Sequence, residues 1–217
     1  MRASQYARMT LLWLIRHGET SWNAEGRVQG QTDVALSEVG HAQARALAGL
    51  LAARRFAALY SSDLQRVTQT AQPVASALGM AMRLDPRLRE RHYGMFETMT
   101  YAEVKIRHPQ EYARFRAHDP EFDFRGGEGL RVFFERSVAC LTGIAAHHAG
   151  EQVLIFTHGG VLDMAYRHAK RLGLASKRDF EIPNAALNQI EIAGDDWNVL
   201  VWAERAHLEA AIDDLPD

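Results

Sequence analysis

Short apolar runs alternate along this chain with longer stretches whose apolar positions recur every three to four residues. Residues 10–15 are apolar on both alternating faces, which predicts a central strand covered on each side. Residues 152–156 repeat that pattern. Shorter strands are predicted at 57–60 and, edge-like, at 81–84. Residues 187–192 and 198–202, parted by Gly194-Asp195-Asp196, read as an antiparallel hairpin.

Helical patterns lie between them. Val39, Gln43, Leu47, Leu50 and Leu51 mark one face of a helix over 37–53, begun by Ser37 as N-cap. Asp63 is placed to cap a second helix over 63–78, closed by Gly79. Pro73 within it either kinks the helix or stands where its missing N–H is tolerated. Further helices are predicted over 101–118, 130–146 and 161–172, the last ended by Gly173. The rings of Tyr112, Phe115, Phe122, Phe124, Phe133 and Phe134 are expected to close over the sheet. This alternation predicts an α/β fold: a three-layer α/β/α sandwich with a mostly parallel central sheet and helices on both faces.

At 217 residues, and about 150 per domain, the chain reads as a single domain over 9–217. Residues 1–8 show no apolar period and are expected to be a disordered tail, with Met9 as good an initiator as Met1. Hydrophobic residues at 47% and charged residues at 24% exclude a disordered or collagen-like chain. The balance of 25 basic against 27 acidic residues, a formal net charge of -2, lacks the basic excess of a nucleic-acid binder. No apolar run approaches the ~20 residues of a membrane span. The run at 11–15 leads straight into Arg16-His17, without a signal-peptide cleavage site. Neither nucleic acid nor membrane is an expected partner. The single Cys140 excludes an intrachain disulfide and a cysteine-based zinc site, and fits a cytoplasmic location. Edge strands and the 195–203 hairpin leave room for a second subunit, so a homodimer is an open expectation.

Ligands of such sheets bind at the carboxyl ends of the strands. That rule selects Arg16-His17-Gly18 and Thr157-His158-Gly159, each following a strand buried on both faces. Arg offers phosphate a planar fork of donors and stays charged at any working pH. A neutral histidine ring nitrogen can attack phosphorus. Glycine removes a side chain where backbone and ligand approach. Phosphoryl transfer asks mainly for positioning and charge neutralisation, which two arginines and a second histidine can supply without a metal. His41, His108, His118, His147, His148, His168 and His207 lack partners at ligand spacing, so no metal site and no cofactor are expected.

The sequence resembles the histidine phosphatase superfamily, also called phosphoglycerate mutase-like. The resemblance rests on Leu14-Ile15-Arg16-His17-Gly18-Glu19-Thr20, on Trp22-Asn23, Gln29-Gly30 and Asp33, and on the block from Leu36 to Ala44. It continues through Ser61-Ser62-Asp63-Leu64-Gln65-Arg66 with Gln69-Thr70-Ala71, then Glu90-Arg91-His92-Tyr93-Gly94, then Thr157-His158-Gly159. The resemblance implies that His17 becomes a phosphohistidine, with Arg16, Arg66 and His158 as the phosphate pocket; by charge, a phosphate dianion between Arg16, Arg66 and a protonated His158 is neutralised. It implies that Glu90 protonates the leaving oxygen and later helps water attack the phosphoenzyme; read from the residues alone, Glu97 in Phe96-Glu97 is a competing acid. Asn23, Gln29, Gly30 and Gly159 would add donors to the phosphate, and Tyr93 would line the substrate site. A segment over 95–130 would supply a lid and specificity.

True mutases of this family carry Asn where Gly160 stands and Lys where Tyr101 stands. They also carry paired arginines near Arg116, where this chain reads Arg116-Ala117. Those differences favour hydrolysis of a small phosphomonoester, releasing phosphate, over a cofactor-dependent phosphoglycerate mutase. A phospho-ligand or protein-binding module without turnover is the reading from another class. Gly126-Gly127-Glu128 resembles the phosphatase branch, with Gly129 in place of Ser, and Thr98 stands where many members have Gly.

Overall fold

The computed structural model describes residues 9–213; the tail expected at 1–8 lies outside the described residues. Six strands form one sheet: β1 (Thr10–Arg16), β2 (Ala58–Ser61), β3 (Met82–Leu84), β4 (Gln152–Thr157), β5 (Leu187–Ala193) and β6 (Asp196–Glu204). Their order is β3-β2-β4-β1-β5-β6. The first four are mutually parallel, and β5 and β6 add an antiparallel hairpin beside β1.

The helices are α1 (Ser21–Ala24), α2 (Glu38–Leu51), α3 (Gln65–Leu78), α4 (Tyr101–Arg107), α5 (Pro109–Arg116), α6 (Leu130–His147), α7 (Gly159–Ala169) and α8 (Ala206–Asp213). Alternation along β1 places Leu12 and Leu14 on one face, with Leu141 and Ile144 of α6 and Leu162 and Ala165 of α7. Trp13 and Ile15 face the other way, onto Leu47 and Leu51 of α2 and Val67 and Val74 of α3. Both faces are covered, as the continuous apolar runs require. Among the described residues no helix is long and apolar enough to cross a membrane.

Several boundaries differ from the sequence expectation for local reasons. Ser37 caps α2, its hydroxyl accepting from the Gly40 N–H. Asp63 does not cap α3. That helix begins after Leu64 without a side-chain cap of its own, and Asp33, from a distant loop, accepts from the Gln65 N–H at 2.7 Å. Asp63 instead pairs with Arg89, whose hydrogen bond holds its carboxyl below the usual range. The helix expected over 101–118 is two helices broken at His108, because Pro109 excludes the helical conformation from the residue before it. α7 stops at Ala169, short of the expected end, where Arg171 turns left-handed (φ 56°) and Leu172 N–H returns to the Arg167 carbonyl.

The aromatic residues do not all close over the sheet. Phe133 and Phe134 do, but Phe122 and Phe124 join Val28, Phe96 and Val104 in a separate apolar cluster, with Tyr112 and Phe115 packed on it. Segment 95–130 thus carries most of a small core of its own.

Candidate active site

β1 and β4 run side by side with Arg16 opposite Thr157, so the residues after both strands leave the sheet at the same end. The His17 N–H donates to the Thr157 carbonyl at 2.9 Å. His17 and His158 therefore stand ring to ring, centroids 5.3 Å apart and planes inclined by 63°. Both are buried. A Cβ on Gly18 would lie 2.7 Å from the Gly40 carbonyl oxygen, so only glycine lets the chain pass the start of α2 here.

The proton positions follow from the partners. His17 Nδ1 lies 2.7 Å from the Gly18 carbonyl oxygen. A carbonyl only accepts, so Nδ1 carries the proton and Nε2 keeps its lone pair. Burial, with Arg66 and Arg16 adding to it, holds this imidazole well below its ordinary pKa. His158 has the opposite tautomer. The Arg66 guanidinium donates to its Nδ1 at 3.2 Å, so Nε2 bears the proton and donates to Ser62 Oγ at 2.9 Å. Burial and then Arg66 push its pKa well below the usual value. In this hydrogen-bond arrangement burial and then the Arg66 charge favour the neutral ring, whereas the protonated His158 expected from the sequence belongs to a pocket holding a phosphate dianion.

Arg66, in the first turn of α3, is almost fully buried. It donates to the Thr32 and Gly30 carbonyls at 2.9 and 2.7 Å. Burial lowers its pKa to about 10, partly offset by Glu90, so it remains a cation at neutral pH. Arg16 ends β1 and is fixed through the Ile182 carbonyl. Each arginine also has a buried Nε–H without a protein partner among the described residues. Such donors suit a ligand with several acceptor oxygens.

Glu90 closes the other side. Its Oε1 accepts from Arg91 N–H at 2.8 Å and its Oε2 from Gly160 N–H at 2.9 Å. A Cβ on Gly160 would collide with this carboxylate, so the glycine makes the room that Glu90 occupies. Arg136 fixes the backbone behind it, donating to the Arg89 carbonyl at 3.0 Å while pairing with Glu128. Glu97 is engaged elsewhere. It accepts from the Gln31 and Tyr93 N–H groups at 3.0 and 2.9 Å and from Thr32 Oγ1 at 2.8 Å, tying down the loop that carries Gly30.

The other expected residues divide. Gly159 opens α7, its Cα facing the Arg16 guanidinium. Asn23 lies in the same neighbourhood, its Oδ1 accepting from Thr20 N–H at 3.1 Å. Asn184 Nδ2 reaches that oxygen at 3.4 Å and the His17 carbonyl at 2.9 Å. Gly30 contributes its carbonyl to Arg66. The Gln29 Oε1 is buried without a partner and makes no hydrogen bond to the histidine pair. Tyr93 packs edge-on against Phe115 and Phe124, and enclosure, followed by the Glu90 charge, pushes its hydroxyl pKa well above the usual value. Sequence reasoning missed Asn184, Ser62 and Thr70, whose Oγ1 accepts from the Gly18 N–H at 2.9 Å. Ser62 and Thr70 stood in the quoted blocks without a role; Asn184 carried no signal.

The model of a known family, described as the histidine phosphatase superfamily (branch 1), matches residues 12–205. The chain belongs to that superfamily. It is 36% identical over 200 residues to phosphoglycerate mutase-like protein 4 of Arabidopsis thaliana, covering 90% of this chain and 86% of the relative. It is 35% identical over 207 residues to a metal-independent phosphoserine phosphatase of the same plant, covering 94% and 85%. The solved structure of Bacillus stearothermophilus YhfR superposes with a TM-score of 0.86 at 33% identity, covering 92% of this chain and 99% of that one. The fold is therefore the phosphoglycerate mutase-like sandwich of this superfamily. Among the described residues no group of three or more histidine, cysteine or carboxylate side chains is placed to hold a metal ion.

Proposed function

We propose that this chain is a metal-independent phosphomonoester hydrolase that acts on a small phosphorylated metabolite through a phosphohistidine on His17. The observation that carries the reading is the His17–Gly18 hydrogen bond, which leaves Nε2 of this buried ring with its lone pair, in the field of Arg66 and Arg16. In the first step Nε2 attacks phosphorus and the ester P–O bond breaks. The departing oxygen takes a proton from Glu90. Arg16 and Arg66 spread positive charge over the phosphoryl oxygens, while neutral His158, its two nitrogens engaged by Arg66 and Ser62, holds the Arg66 guanidinium in place and forms a wall. In the second step water loses a proton to Glu90 and attacks phosphorus. The P–N bond breaks, phosphate leaves and His17 is restored.

Hydrolysis is favoured over a mutase by Gly160, where Glu90 occupies the space a side chain would need. The phosphoserine phosphatase among the relatives supports the same side, without naming a substrate for this chain. The lone Cys140 is buried, and burial drives its thiol up to about 12, which supports a role in packing and a cytoplasmic setting. Reaction with labelled phenyl phosphate followed by rapid quench is expected to trap acid-labile, alkali-stable phosphate on His17. Phosphate release without any label on the protein, or a rate that chelator abolishes and a divalent ion restores, would overturn the mechanism.

A further inference from the structure

Glu90 stands on irregular chain, just past a single 3₁₀ turn over Pro86–Leu88, so the carbonyls of that stretch need partners from elsewhere. Thr157 Oγ1 takes the Leu88 carbonyl at 2.9 Å. The carbonyls of Arg87, Arg89 and Glu90 all turn to Arg136 of α6. Its Nη1 donates to the first two at 2.7 and 3.0 Å, and its Nη2 to the third at 3.3 Å. Nε and Nη2 also donate to the two carboxylate oxygens of Glu128, each at 2.8 Å. Those bonds occupy all five N–H donors that a guanidinium has. The group lies over the Phe133 ring, 5.0 Å from its centroid, and an edge atom of that ring stands 3.0 Å from where a Cβ on Gly160 would be. Arg136 is thus built in behind the acid.

Glu128 holds the chain on the other side of Glu90. Its N–H donates to the His92 carbonyl at 2.8 Å, and its own carbonyl accepts from Arg91 Nε at 2.8 Å. A Cβ on Gly127 would stand 2.7 Å from the His92 carbonyl oxygen, so only glycine allows this approach. The residues before Glu90 therefore hang from Arg136 and those after it from Glu128, and the two holders are joined by their own ion pair.

We propose that Arg136 and Glu128 are positioning residues for leaving-group protonation: they touch no substrate, and together they set where the Glu90 carboxyl meets the departing oxygen. The inference rests on the phosphomonoester reading and deepens it. An acid must lie within hydrogen-bond reach of the oxygen it protonates, and a displacement of about 1 Å costs up to about 10²-fold. The loss falls on poor leaving groups, which need the proton. A clamp that served the fold alone would slow every ester alike.

The readout is the ratio of kcat/KM for ethyl phosphate to that for p-nitrophenyl phosphate, measured within one preparation, so partial unfolding cancels. This quantity extends only to release of the alcohol, so the later attack of water does not enter. Arg136→Lys keeps a charge beside Glu128 but replaces the planar fork by three donors about one point. It is expected to lower the ratio about 10-fold. Glu128→Gln, which keeps the shape and loses one acceptor for Arg136, is expected to lower it severalfold. Both act through Glu90, so in a Glu90→Gln background neither is expected to shift the ratio further. An unchanged ratio in either single variant, or the same fall repeated in the Glu90→Gln background, would overturn the proposal. Two controls separate it from the reading beneath it. A folded wild type that leaves p-nitrophenyl phosphate untouched, or a Glu90→Gln ratio equal to that of the wild type, would strike the phosphatase reading or its acid and remove this inference with it.

Discussion

Arg66 and His158 share one hydrogen bond, from the guanidinium to the imidazole Nδ1 at 3.2 Å, and that bond decides where the ring carries its proton. An arginine can only donate, so His158 must accept, and it cannot do so as an imidazolium. The same guanidinium acts on His17. Burial disfavours charge on both rings, and this one buried cation adds to that effect on each.

The pH dependence of stability follows from that. Both histidines have folded-state pKa values well below the ordinary 6.5, with burial as the largest cause. The unfolded chain binds these two protons first, so stability is fully present above about pH 6.5 and declines as pH falls below it. Each histidine can contribute at most about 1.4 kcal/mol per pH unit to the slope. Denaturant melts between pH 5 and 7.5 are expected to show a decline that His17→Gln makes shallower. A slope unchanged by that substitution would contradict the assignment.

His17→Ala is expected to lose more than about 10³-fold in kcat while folding normally, because the residue follows β1 without filling either apolar cluster. Circular dichroism and turnover measured on the same sample check both halves.

Glu90→Gln is expected to slow alkyl phosphates by about 10²–10⁴-fold and phenyl esters bearing good leaving groups far less, because only the alkoxide needs the proton. The comparison belongs on the pre-steady-state phosphorylation step. Glu97→Gln is expected to treat both classes alike, since that carboxylate ties a loop together. Equal losses for both esters in Glu90→Gln would remove it from the acid role.

Gly160→Asn probes the space that Glu90 occupies. Its Cβ would drive the carboxylate away, so leaving-group protonation is expected to fall about 10²-fold while His17 still accepts phosphate from activated aryl esters. Retained alkyl phosphatase activity would show that Glu90 has another productive position.

Thr98 has a left-handed backbone (φ 72°), which a β-branched residue adopts only at a cost. Its N–H is held by the Val28 carbonyl and its own carbonyl by Arg27, so the chain cannot relax. Thr98→Gly is expected to stabilise the protein by about 1 kcal/mol, seen as a rise in Tm.

Much of this was legible because burial and strand ends are written locally. The doubly apolar runs marked β1 and β4, and the histidines after them became neighbours once the sheet paired them in parallel. The unread features depend on residues distant in sequence. Asp33 caps α3 from another loop, Asn184 holds the His17 carbonyl from a connection without motif, and Arg66 decides the His158 tautomer. No local period announces such partners. Thr98 is the reverse case: an unusual residue in the sequence whose cause, a left-handed turn, only the backbone reveals.

The contact between Asn184 and His17 spans 167 residues, and β5, just after Asn184, completes the pairing of β1. Closing loops of that size is slow compared with forming helices. A chain emerging from the ribosome would thus hold His17 at the end of an unfinished strand until the segment through β5 had been made. Under the proposed mechanism catalytic competence arrives with that long-range closure, which makes the onset of turnover a clock for it.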